Sequence, residues 1–174
     1  DLCVSCKGCK RECPTGVDMA KMKLEWLHHW RRHHGINLKD RLIAFLPRYA
    51  PWAKRAAPLV NVLQALAKPV LGFASKRSLP AWRSDAFAAP AATGTATGRE
   101  VVLFVDTFNT YFEPENARAA LQVLQAAGYT VHLPQPAGET RPLCCGRTFL
   151  AGGLVDEARA EAQRMIGALK PYIE

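Results

Sequence analysis

Cys3-Val4-Ser5-Cys6-Lys7-Gly8-Cys9-Lys10-Arg11-Glu12-Cys13-Pro14 lies at the start of the chain and decides the fold expected of its first half. It is C-x2-C-x2-C-x3-C-P, the spacing that holds 4Fe-4S clusters. The reason is reach. Three thiolates two residues apart can wrap one face of a cuboidal cluster. The fourth, three residues on and followed by a chain-turning proline, points away from that face. In two-cluster proteins it ligates the other cluster. Zinc competes for closely spaced cysteines, but structural zinc sites usually part their two ligand pairs by a finger or ribbon. A disulfide framework fits small secreted domains led by a signal peptide, a pattern this sequence does not show. Cys3, Cys6, Cys9 and Cys13 are therefore the candidate cofactor and metal ligands.

The other two of the six cysteines are the adjacent pair Cys144-Cys145. Neighbouring cysteines rarely form a disulfide with each other, so a reducing compartment and metal ligation are favoured. Two small buried hydrophobes is the plain alternative, since free cysteine buries readily. Bounded by Gly146 in a loop, the pair is a further candidate for ligation or redox chemistry.

Of the 174 residues 49% are apolar, enough for a core in one ordinary domain or two small ones. No apolar run is long enough to span a bilayer; Pro58 to Ala74 is broken by Asn61, Gln64, Lys68 and Pro69. The net charge of +8 is unevenly placed. Residues 21–83 hold thirteen Lys or Arg against two acids, Glu25 and Asp40, whereas residues 84–174 hold seven against ten. A basic middle and a slightly acidic C-terminal part suggest two separately built pieces. The start at Asp1, without methionine and two residues before the first ligand, reads as a cut end.

After the cysteine loop, Asp18 is a suitable N-cap, with Val17 and Met22 at hydrophobic-staple spacing. Met19, Met22, Trp26 and Trp30 recur at helical intervals, Leu27 widens the stripe, and Gly35 stops the helix. This apolar face is expected to cover a cluster, because dry surroundings tune its potential. His29 and His33 stand four apart, but a solvated helix end, where His33 and His34 favour the C-terminal dipole, is the better reading of His28, His29, His33 and His34. Leu38 to Leu46 forms a further helix closed by Pro47, and Pro58 opens one carrying Leu59, Val62, Leu63 and Leu66. Trp52, Lys54, Arg55, Lys76, Arg77, Trp82 and Arg83 lie among these. Basic residues interleaved with tryptophans fit a solvated face, a partner subunit or an anionic membrane surface. No nucleic-acid motif accompanies them, and nucleic acid is not expected.

Residues 85–98 have the composition of a linker. Beyond them Val101 to Val105 predicts a buried parallel strand, Glu113-Pro114-Glu115 opens a helix, and Tyr129 to Leu133 is the next strand. Such a βαβ unit implies a right-handed crossover. Cys144-Cys145 would then lie at the carboxyl edge of an open sheet, where such folds place their sites. A last helix comes after Gly152-Gly153, with Leu154, Ala158, Ala162, Met165, Ile166 and Leu169 on one side. The fold class is thus α+β, with a helical half (1–84), a linker (85–98) and a partial α/β half (99–174).

The run from Leu2 to Lys21, then Asp106-Thr107-Phe108-Asn109-Thr110-Tyr111-Phe112-Glu113-Pro114-Glu115, then Cys144-Cys145-Gly146 resembles the C-terminal iron–sulfur region of FAD-linked 2-hydroxy acid dehydrogenases. These are the D-lactate, glycolate and D-2-hydroxyglutarate types, with a ferredoxin segment fused to a CCG cysteine-rich segment. The resemblance spans most of the chain and implies an α-helical ferredoxin-like half followed by a Rossmann-like half. It implies electron transfer from FAD in an upstream flavin domain, bound by none of these residues, through clusters to a quinone or cytochrome-type acceptor. It also implies that the chain is a fragment, since the family's earlier cysteine run is absent. At the family's cysteine well before the pair, this chain has Asp106-Thr107. The expected location is the cytoplasm, with peripheral contact at the inner face of the membrane. The same cysteines allow two alternatives. One is a separate iron–sulfur subunit docked on a flavoprotein, like that of anaerobic glycerol-3-phosphate dehydrogenase or of heterodisulfide reductase-like proteins. The other is a zinc-stabilised binding module.

Overall fold

Part of the cysteine run is helical. In the computed structural model, which describes residues 6, 8–90, 98–135 and 141–173, Gly8–Glu12 wind into a short helix, α1. Asp18 then caps α2 (Met19–His34) as expected, its carboxylate accepting from the Lys21 amide at 2.9 Å. Gly35 ends the helix at φ 71°, a left-handed value that glycine takes without cost. The helices α3 (Leu38–Ala44), α4 (Leu46–Arg55) and α5 (Ala57–Ala67) come after it. Strand β1 (Glu100–Val102), α6 (Thr107–Tyr111), α7 (Pro114–Ala126) and strand β2 (Thr130–His132) come next. The last elements are α8 (Arg147–Ala151) and α9 (Val155–Leu169), closed by a 3-10 turn at Lys170–Tyr172. The described chain is mostly helical with one small parallel sheet, an α+β fold.

One expectation needs correction. Pro47 does not close a helix at Leu46; it sits, buried, in the first turn of α4, where its missing N–H costs nothing. The stripe Met19, Met22, Trp26 and Trp30, the face expected to cover a cluster, lies open to solvent among the described residues. All four are exposed, and Ala20 and Leu24 are the buried residues of α2. The exposed rings stack along the outside, Trp26 on Trp30 at 5.3 Å and Trp30 on His34 at 3.7 Å between centroids. Residues 85–90, the first part of the expected linker, make contacts of their own. Ala86 is buried, the Phe87 amide donates to the Thr110 carbonyl at 2.9 Å, and Asp85 takes ion pairs from Arg83 and Arg118. Those guanidiniums, Arg83 first, hold the Asp85 carboxyl down at about 2. The rest of the expected linker, 91–97, lies outside the described residues.

Contacts gather the chain into two units, Asp1–Leu46 with Gly146–Ala160, and Pro47–Cys145 with Glu161–Glu174. This grouping by proximity takes a different line from the division at 85–98, which concerns independent folding.

In the first unit Phe149 of α8 is fully buried against Ala44 and Ala158, with Ile36, Phe45, Leu150 and Leu154 around it. Phe45 meets Phe149 edge-on at 5.1 Å. Two glycines allow α8 to seat. Gly146, at φ 78°, comes so close that a Cβ there would lie 2.7 Å from the Ala158 carbonyl oxygen. Gly153 would likewise meet Leu27 at 2.7 Å, and the His28 Nδ1 lies 3.2 Å from the Gly153 carbonyl. The α2 face that packs is therefore the one carrying Leu27 and His28.

In the second unit β1 and β2 pair in parallel, Val101 opposite Val131, and α6 and α7 form the crossover between them. Pro114 and Glu115 open α7 as expected, and its buried residues are Pro114, Ala117 and Leu121. Trp82 is buried beside Phe112 (4.5 Å) and Tyr49 (5.8 Å). The side chain of Asn61 clasps its backbone, accepting from the Trp82 amide at 2.8 Å and donating to its carbonyl at 3.0 Å.

Because Phe149 has no exposed surface, Phe149→Ala should cost about 3–5 kcal/mol in urea denaturation. Phe149→Leu should cost less. An alanine variant as stable as the parent would show that α8 is not the centre of this core.

Candidate metal centre

The cysteine run supplies accessible thiols. Cys6 and Cys9 are exposed, Cys13 is half-buried, and none of the three is in a disulfide. Helix α1 carries Cys9, and the Cys13 amide donates back to the Cys9 carbonyl at 3.0 Å, so the helical turn sets the two residues four apart. Gly8 leaves room beside Cys6, since a Cβ there would stand 3.6 Å from the Cys6 Sγ. Past Pro14 the chain turns, with the Gly16 amide on the Cys13 carbonyl at 3.0 Å. The Thr15 hydroxyl lies 3.1 Å from the Cys13 sulfur. That hydroxyl, then the Val17 and Thr15 amides, hold the Cys13 thiol below its usual range. Hydrogen bonds to sulfur favour the thiolate, the form that ligates metal.

The donor chemistry therefore fits iron–sulfur ligation. The described residues do not by themselves form a closed site. Among them no three His, Cys, Asp or Glu side chains come together to hold a metal ion. Cys3, the first predicted ligand, lies outside the described residues. The histidines of α2 make no metal cluster either: His28 is taken up by Gly153, and His34 by Trp30, whose carbonyl lies 3.1 Å from its Nδ1.

The pair at 144–145 splits. Cys144 is buried and Cys145 is exposed. The segment before them is placed by a cluster of residues that sequence reasoning missed. Glu161 on α9 is 2% exposed, and its carboxylate accepts from Arg141 at 2.8 Å and from Arg164 at 3.4 Å. Arg48 stands 3.8 Å away. Arg164 also donates to the Pro142 carbonyl at 3.1 Å and to the Arg141 carbonyl at 2.5 Å. A buried carboxylate needs this pairing, because an uncompensated charge out of water costs several kcal/mol. The signal was available only in part: Glu161 recurs three residues after Ala158 on a face otherwise apolar.

Next to Cys144, Leu143 lines a cavity of about 240 Å³. Leu103, Val105 and Leu133, which come just after the two strands, line it too, together with Lys54 and Tyr111. It thus opens at the carboxyl edge of the sheet, the edge expected to carry a site. Burial pushes the Tyr111 hydroxyl up to about 12, with Arg141 opposing, so at neutral pH it is a hydrogen-bonding phenol rather than a base. Asp106 caps α6, accepting from the Asn109 amide at 2.8 Å. Beside it the buried Thr107 hydroxyl has no hydrogen-bond partner among the described residues. Asp106 and Thr107 therefore serve the start of a helix at the position where the family resemblance puts a cysteine.

No family model and no solved structure matches the chain. Its likeness is to dehydrogenases of 2-hydroxy acids. The relatives are D-2-hydroxyglutarate dehydrogenases. That of Pseudomonas putida is 26% identical over 160 residues, 81% of this chain and 16% of that protein. That of Haemophilus influenzae is 28% identical over 78 residues, 41% of this chain and 8% of that protein. That of Escherichia coli is 30% identical over 59 residues, 34% of this chain and 6% of that protein. The chain thus spans a small part of the curated relatives it matches. These distant likenesses support kinship with 2-hydroxy acid dehydrogenases and an oxidoreductase-related role.

The two members of the cysteine pair should differ in reactivity. In the folded chain, iodoacetamide followed by peptide mass spectrometry should find Cys145 modified and Cys144 protected, with Cys144 reacting once denaturant is added. Equal labelling of both in the folded chain would contradict the burial of Cys144.

Proposed function

We propose that the chain is the electron-transfer portion of a flavin-dependent 2-hydroxy acid dehydrogenase. One observation carries the reading. The C-x2-C-x2-C-x3-C-P run, with Cys6 and Cys9 open to solvent and Cys13 held towards its thiolate, stands in a chain whose relatives are D-2-hydroxyglutarate dehydrogenases. Cys3, Cys6 and Cys9 would hold one 4Fe-4S cluster and Cys13 would reach a second. Clusters so held supply one-electron carriage, and the surrounding protein tunes their potential. The helical half is then ferredoxin-like and the βαβ half a Rossmann-like CCG domain, with the boundary at 85–98. Cys144 and Cys145 remain candidate ligands within that domain.

In this reading FAD sits in an upstream flavin domain and does the organic chemistry, while this chain conducts electrons to a quinone or cytochrome-type acceptor. The location that fits is the cytoplasm, at the inner face of the membrane.

The division of labour is testable with Cys9→Ser in the full-length protein, a substitution at an exposed position. Cluster absorption should be lost in part, and acceptor reduction should fall by on the order of tenfold or more. Reduction of the flavin by substrate should persist, because that half-reaction needs no iron. Equal loss of flavin reduction in a folded variant would overturn the proposal.

A further inference from the structure

Helix α5 is built inside out. Its inward positions carry the polar groups: Asn61 clasps the backbone of Trp82, and Gln64 donates to the Pro80 carbonyl at 3.1 Å. Its outward positions are Leu59, Val62, Leu63 and Leu66, which are 60%, 58%, 54% and 69% exposed. A helix on the surface of a water-soluble domain ordinarily shows the reverse pattern. The eleven residues of α5 include no charge to interrupt this face. Trp52 on α4, before this helix, and Val70, after it, are exposed as well, and the Arg55 guanidinium lies 5.0 Å over the Trp52 ring.

The stretch of sequence that carries this face has charge of one sign. Residues 47–82 carry Arg48, Lys54, Arg55, Lys68, Lys76 and Arg77, and no Asp or Glu. Lys68 is engaged within the chain, donating to the Ser75 carbonyl at 2.8 Å and to the Arg77 carbonyl. That tie closes the turn that presents Lys76 and Arg77, both exposed, beyond the C-terminal end of α5. Lys54 and Arg55 stand just before its N-terminal end.

This chemistry selects among occupants. A second copy would bring the same cations face to face in an isologous contact, with no acid to meet them. Nucleic acid would use the cations but leave the leucines in water. An anionic bilayer uses both, with aliphatic side chains at the headgroup–acyl boundary, a tryptophan at headgroup level and cations on lipid phosphates. Among the described residues no helix is long and apolar enough to cross a membrane, so α5 would lie in the interfacial plane.

We propose that α5 and Trp52 form a membrane-docking surface, with Leu59, Val62, Leu63 and Leu66 entering an anionic lipid interface and Arg55, Lys76 and Arg77 contacting its phosphates. The surface does not rest on the redox reading, since binding to lipid needs no iron.

The test is flotation of the full chain with vesicles of phosphatidylcholine alone and of equal parts phosphatidylcholine and phosphatidylglycerol. Binding should be confined to the anionic vesicles and weaken as salt rises. Leu63→Gln/Leu66→Gln should lower the partition by about tenfold through lost apolar burial. Lys76→Gln/Arg77→Gln should lower it by about tenfold through lost charge. Val123→Gln, at an exposed valine of α7, should leave it unchanged. Should the leucine variant fail to fold by circular dichroism, Trp52→Ala gives the same reading through reduced flotation. Absent binding at low salt, equal binding to neutral vesicles, or equal loss in the Val123 variant would overturn the proposal. So would self-association that the leucine variant abolishes in a chain that ignores vesicles.

Discussion

A carboxylate with almost no contact with water organises the second unit. Glu161 is held by Arg141 and Arg164, with Arg48 close by, and Arg164 in turn grips the carbonyls of Arg141 and Pro142. The charges are tolerable only together. Removing one guanidinium leaves a buried anion short of a partner, and removing the anion leaves cations that repel. The pairing therefore pins residues 141–142 to α9, and with them the approach to Leu143, the buried Cys144 and the exposed Cys145. The carboxyl edge of the sheet acquires a defined wall in this way, and the cavity there is its consequence.

The legible part of the sequence was local. Asp18 caps α2, Pro114 and Glu115 start α7, and Gly35 stops α2, because caps and first turns depend on a few neighbouring residues. The parallel pairing of β1 and β2 was legible as well, since two short apolar runs around one helix leave few alternatives. Which face of each helix would be buried was not legible. Met19, Met22, Trp26 and Trp30 form a better apolar stripe than Ala20 and Leu24, yet the smaller residues are the ones enclosed. On α5 the choice runs further against composition, because Asn61 and Gln64 are used as clasps on a neighbouring segment. Periodicity shows that a helix has two faces, and only tertiary contacts decide which one packs.

The candidate site was legible in its donors and not in its surroundings. Four cysteines at cluster spacing can be read without a structure, whereas the Thr15 hydroxyl that favours the Cys13 thiolate depends on how the chain turns after Pro14. Glu161 escaped notice because a lone acid on a helix is ordinarily solvated, and its burial is a property of the arginines that meet it. The same holds for Asp85, a residue of linker-like sequence that Arg83 and Arg118 fasten in place.

Cys6 and Cys9 are exposed, Cys9 on the short helix α1, and the proposal makes them ligands of a cluster that hands electrons onward. The most direct measurement is iron and acid-labile sulfide analysis of the full-length protein prepared without oxygen. The account predicts iron and sulfide in equal amounts, with the broad visible absorption of 4Fe-4S clusters and a signal that changes on reduction. Protein that is colourless and free of iron, or that carries zinc without sulfide, would contradict it.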